Sequence, residues 1–110
     1  MRILVANDPC TYREAITSAL RELRPHIEVS EIEPGGLDGE VARLRPDLVV
    51  CSRITAAVQA LLAWIVLYPD GENRAVIGTA GEQVALDNVG FGDLLSAIDR
   101  IELLSSELTS

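Results

Sequence analysis

Residues 45–53 read "RPDLVVCSR". At their centre Leu48, Val49, Val50 and Cys51 form an uninterrupted apolar run. A short apolar run with β-branched residues and no polar alternation predicts a strand buried on both faces. Strands of that kind belong to parallel sheets that helices cover on both sides. The run stops at Ser52, so the group presented at the strand end is a hydroxyl.

Upstream, "LDGEVARLR" (37–45) places Leu37, Val41 and Leu44 on one side of a short helix. "PGG" (34–36) breaks the chain before it. "IEVSEIE" (27–33) alternates around Ile27 and Val29 and predicts a half-exposed edge strand. "RILVAN" (2–7) predicts a second strand buried on both faces. Between these strands lies "DPCTYREAITSALREL" (8–23), where Pro9 stops the strand and Thr11 and Glu14 have capping-box spacing. Ala15, Ile16, Ala19, Leu20 and Leu23 recur at helical spacing, and Pro25 lies beyond the helix end.

Strand, helix, strand, helix, strand with short crossovers requires parallel pairing and right-handed connections. The expected architecture is therefore a three-layer, doubly wound α/β sheet. Functional groups in such sheets gather at the carboxyl ends of the central strands. Here those positions are Asn7, Asp8 and Ser52.

Downstream, "ITAAVQALLA" (54–63) predicts a short helix and "WIVLY" (64–68) a strand. "PDGEN" is a turn, and "RAVIGT" (74–79) and "EQVALDNV" (82–89) predict two strands around Ala80–Gly81. Their turns are too short for crossovers, so Trp64–Val89 is an antiparallel meander. Trp64 and Tyr68 fall on one face of their strand, which is either core under a helix or a docking surface. "DLLSAIDRIELLSSEL" (93–108) closes the chain as a helix with Leu94, Leu95, Ile98, Ile101 and Leu104 on one face and Asp93 as N-cap. Leu103, Leu104 and Leu108 widen that stripe and favour self-association, so a homodimer is one expectation. No repeat or linker divides the 110 residues, which suit a single domain.

Composition narrows the function classes. The net charge is −8 and the sequence pI about 4.5, which repels phosphate backbones and argues against direct nucleic-acid binding. All nine basic residues are arginine, so no side-chain ammonium group is available. No apolar stretch is long enough for a membrane span and no signal peptide is evident, so a cytosolic location is expected. Cys10 and Cys51 are expected to be reduced packing residues, and the single histidine, His26, lies in a turn and makes no zinc signature. "GFGD" and "PGGLDGE" lack the lysine or third glycine of a phosphate loop. With so few histidines and activated nucleophiles, enzymatic activity is not expected.

The first half, residues 2–53, resembles a response-regulator receiver domain. "ILVAND" is similar to the family's first strand, which ends in an acidic pair. "PCTYREAITSALRELRPHIEV" resembles its first helix and second strand, and "DGEVARLRPDLVVCS" its second helix and third strand. The resemblance implies a flavodoxin-like fold, bacterial two-component signalling, and transfer of a phosphoryl group to an aspartate beside a magnesium ion. By that correspondence Asn7 and Asp8 stand at the acidic pair, and Ser52 stands at the phospho-acceptor aspartate. The family's hydroxyl residue corresponds to Tyr68 or to Thr79, depending on which strand is fourth, and chain length favours Tyr68. The family's lysine has no counterpart.

Magnesium requires hard anionic oxygens in a near-octahedral shell. Asp8 is the only carboxylate placed there, so it is the one candidate ligand and any residual magnesium site is weak. Serine is a poor nucleophile without a base. The expectation is a degenerate, pseudo-receiver signalling domain that acts on a protein partner without phosphorylation. A residual cation- or small-ligand sensor and a structural dimerisation module are the alternatives. The expected contact surfaces are the meander, with Trp64 and Tyr68, and the last helix, with Leu104 and Leu108.

Overall fold

The computed structural model describes residues 1–69, 72–79 and 81–109, with side chains described except at 105–109. The chain runs β1 (Arg2–Ala6), α1 (Cys10–Leu23), β2 (Glu28–Glu31), a 3-10 turn (Pro34–Gly36), α2 (Leu37–Leu44) and β3 (Leu48–Cys51). It continues through α3 (Ala56–Gln59), β4 (Ala63–Leu67), β5 (Arg74–Thr79), β6 (Glu82–Asp87) and α4 (Phe91–Thr109). This is an α/β chain with one six-stranded mixed sheet in the order β2-β1-β3-β4-β5-β6.

The β1–β2, β1–β3 and β3–β4 pairs are parallel, whereas β4–β5 and β5–β6 are antiparallel. The meander expected over 64–89 is therefore present. Every residue of β3 and β4 is buried, as their unbroken apolar runs require. β2 is an edge strand with Val29 buried between exposed or half-buried neighbours.

Two apolar clusters divide the core. One joins Ile3, Val5, Leu48, Val50, Ile65 and Leu67 of the sheet to Ile16 and Leu20 of α1 and Leu94, Ile98 and Ile101 of α4. The other joins Leu4, Ala6, Val49, Cys51, Trp64 and Val66 to Leu37 and Val41 of α2 and to Val58 of α3. Alternate residues along each strand fall in different clusters because strand side chains point to opposite faces.

Several local details differ from the sequence expectations, each for a physical reason. Thr11 does not cap α1: the helix starts at Cys10, with Pro9 as an N-cap that makes no side-chain bond. Pro9 occupies the entry, where its fixed φ suits a helix start. Glu14 instead accepts a hydrogen bond from the Cys10 thiol at 3.2 Å. Thr17, not Ala15, completes the buried side of α1, and Leu23 is exposed. The helix expected over 54–63 contracts to Ala56–Gln59, capped by Thr55, whose Oγ1 accepts from the Val58 N–H. Asp93 is not an N-cap but the third helical residue of α4, where its carboxylate accepts from the Gly90 N–H at 2.9 Å. A carboxylate in a first turn is favourable through both that bond and the helix dipole.

α4 is also held to the end of α1. Arg24 donates twice to the Asp99 carboxylate, both at 2.8 Å, and that bidentate contact holds the Asp99 carboxyl below its ordinary pKa. His26 Nε2 lies 3.1 Å from Glu102 Oε1, so the turn histidine faces α4.

Candidate functional site

β1 and β3 are adjacent and parallel, and Ala6 pairs with Cys51. Their carboxyl ends therefore deliver residues 7, 8 and 52 to one edge of the sheet. The Asp8 backbone N–H donates to Ser52 Oγ at 3.0 Å. Asp8 and Ser52 line a cavity of about 260 Å³ together with Gly35, Leu37, Arg53 and Thr55. The loop before α2 is thus brought over the ends of β1 and β3.

Asn7 does not share this cavity's lining. It is fully buried, and its Nδ2 donates to the Leu67 carbonyl at the end of β4 at 2.9 Å. The alternation of β1 explains the split: Ile3 and Val5 face the α1–α4 cluster, Leu4 and Ala6 the α2–α3 cluster. Asn7 continues the first series and Asp8 the second. Asn7 is a bracket between strand ends. Its Oδ1 has no partner among the described residues.

The two candidate hydroxyls separate completely. Tyr68 follows β4 directly, at the same sheet edge as Asn7 and Asp8. Its hydroxyl donates to the Val89 carbonyl at 3.1 Å, so it is committed away from the cavity. Thr79 ends the antiparallel strand β5 and pairs with Ala63, the first residue of β4. It therefore sits at the opposite sheet edge and takes no part in the site. Tyr68 has a φ of 53°, a left-handed conformation uncommon for a bulky residue. The bond to Val89 and the edge-on contact with the Tyr12 ring, 6.0 Å between centroids, hold it there.

Trp64 is not a surface residue. Only 5% of it is exposed, and it packs in the α2–α3 cluster, whereas Tyr68 packs against the other one. Their expected common face fails because β4 ends at Leu67 and the left-handed turn at Tyr68 reverses its direction. On α4, Leu103 and Leu104 are exposed, while the Leu108 side chain lies outside the described residues.

The donors do not suit magnesium. Among the described residues Asp8 supplies the sole carboxylate lining the cavity, Asn7 is engaged with Leu67, and Ser52 Oγ already accepts a backbone hydrogen bond. Among the described residues, no group of three or more His, Cys, Asp or Glu side chains is arranged to hold a metal ion. Arg53 and Thr55 are lining residues that no sequence motif marked. Thr55 is the N-cap of α3, and its hydroxyl donates to Asp38 Oδ1 at 2.6 Å.

The cysteines differ from one another. Cys10 is exposed at the start of α1, contrary to its expected packing role. Cys51 ends β3 in the core, where burial pushes its thiol up from 9.0 to about 11. A raised folded-state value favours the neutral thiol, so its contribution is complete below the unfolded-state value. It is lost between about pH 9 and pH 11, at roughly 1.4 kcal/mol per pH unit. Urea unfolding across that window should show this loss, and Cys51→Ala should remove that part of the slope. An identical slope in both proteins would contradict the assignment.

No protein-family model matches the chain, and neither curated proteins nor solved structures return a match. Among the described residues, no helix is long and apolar enough to cross a membrane.

Proposed function

We propose that residues 1–110 are a single receiver-like signalling domain that works by protein contact and does not run aspartyl phosphotransfer. The observation that carries this role is Ser52 at the end of β3, bonded to the Asp8 N–H, with one carboxylate lining the cavity among the described residues. A phospho-acceptor site of this type needs an acceptor carboxylate and enough negative charge to hold a divalent ion. Here a hydroxyl stands at the acceptor position, and no lysine exists to assist.

The strand order supports the same role. The order β2-β1-β3-β4-β5 is the flavodoxin-like one, and the two core clusters suit a three-layer, doubly wound arrangement. The reversal of β5 and the added β6 are the departures, and they take the place of a helix and a parallel strand. Contact with a cytoplasmic protein partner would then use the parts that depart most, the meander and α4. Self-association through Leu103 and Leu104 is a secondary role, favoured by their exposure.

Incubation with acetyl phosphate and magnesium should leave the intact mass unchanged, and magnesium titration should give no binding heat. Gain of one acid-labile phosphoryl group would overturn the role.

A further inference from the structure

The two edges of the sheet are not treated alike. At β2, the Val29 carbonyl points away from β1, because Glu28 and Ile32 donate to Met1 and Val5 of the inner side. Arg21 of α1 covers that outward carbonyl, donating from Nη2 at 3.0 Å. One edge is therefore blocked by a guanidinium.

At β6 nothing comparable is present among the described residues. The strand pairs with β5 through six consecutive partners, with no bulge, and it contains no proline or lysine. These are the usual devices that stop an edge from pairing. The Asn88 N–H donates to the Asn73 carbonyl, which sets the alternation along the ladder. Gln83 and Ala85 consequently direct their N–H and C=O groups away from β5. The strand is exposed at nearly every position, and Val84 is 55% exposed.

Charge decides what can pair there. Glu82 and Asp87 bracket an uncharged centre, Gln83-Val84-Ala85-Leu86. A second copy would bring the same Glu82 and Asp87 carboxylates and the same net charge of −8 to this edge, so repulsion between two acidic surfaces opposes it. A strand with arginine or lysine at its ends and apolar or small residues between them meets both carboxylates, in either direction.

We propose that β6 is a docking edge that adds an extended, basic-ended segment of a partner protein as a seventh strand. This names a contact surface for the protein-contact role above and rests on that role. Main-chain bonds to Gln83 and Ala85 would supply affinity, and Glu82 and Asp87 would supply selectivity.

The probes are the synthetic peptides acetyl-RRVTVTRR-amide and acetyl-EEVTVTEE-amide, titrated into the full chain at low salt. The basic peptide should bind about tenfold or more tightly than the acidic one, with amide-exchange protection at Gln83 and Ala85. Ala85→Pro removes an outward N–H and none of the β5 bonds, so it should abolish binding at unchanged Tm. Glu82→Arg with Asp87→Arg should reverse the preference.

Equal binding of the two peptides, binding that survives Ala85→Pro, or no binding by either would overturn the docking edge. Sedimentation showing β6-dependent self-association would overturn it in favour of a second copy. These outcomes are separate from phosphoryl transfer: gain of a phosphate sinks the protein-contact role, whereas peptide failure alone sinks only this surface.

Discussion

Gly78→Ala should destabilise the fold by about 3 kcal/mol or more, the cost of overpacking a core that cannot yield. Gly78 lies in β5 directly opposite Trp64 of β4. A Cβ built on Gly78 would overlap the indole, 2.6 Å from Nε1 and closer still to two ring carbons. The ring is 5% exposed and shares its cluster with Leu37, Val41 and Val58, so it has little room to rotate away. The absent side chain of β5 thus forms the floor of the tryptophan site. Thermal or urea unfolding measures the loss. Trp64→Leu should partly relieve the alanine, making the double variant less destabilised than the sum of the two single changes. Strict additivity would show that the indole and position 78 are independent.

Asn7→Asp should be the second most damaging change, although it rebuilds the acidic pair that the family resemblance implies. The substitution replaces a fully buried donor amide with a carboxylate. The Leu67 carbonyl then loses its hydrogen bond and faces an acceptor. An unpaired buried charge and an orphaned carbonyl together cost about 3 kcal/mol. Burial raises the folded-state pKa of the introduced carboxyl above its unfolded value, about 3.9. The sign follows: the deficit is smallest below about pH 4, where the group is protonated in both states, and grows as pH rises. Arg13 opposes this trend, since its Nη1 reaches the Asn7 carbonyl at 3.3 Å and lies near enough to attract a carboxylate. Unfolding at pH 4 and pH 7 decides the balance. A variant as stable as the parent at pH 7 would show that the arginine wins and that position 7 accepts an acid.

The elements most legible in the sequence were those whose burial is total. β1, β3 and β4 are unbroken apolar runs, and such runs have few other places to go. The meander was legible because "PDGEN" and Ala80–Gly81 leave no room for crossovers. Caps were less so. Thr11 has the right spacing but lies inside α1, since the helix starts at Cys10 with Pro9 at its N-cap. In the candidate site, Asp8 beside Ser52 was legible from strand order alone. Arg53, Thr55 and Gly35 were not, because a loop and a helix start from elsewhere in the chain meet the strand ends only after folding.

By itself the sequence determined which segments form the inner strands, that the last three strands turn back on one another, and that no lysine can serve a phospho-acceptor. Apolar periodicity and residue inventory are local properties, and local properties survive without coordinates. Only the tertiary structure decided which way each strand-end side chain turns. It sent Asn7 to Leu67 and left Asp8 with Ser52, buried Trp64 over Gly78, and removed Thr79 to the far edge. The reason is that a side chain's face depends on strand register and on where the strand stops, and both are set by pairing between distant segments.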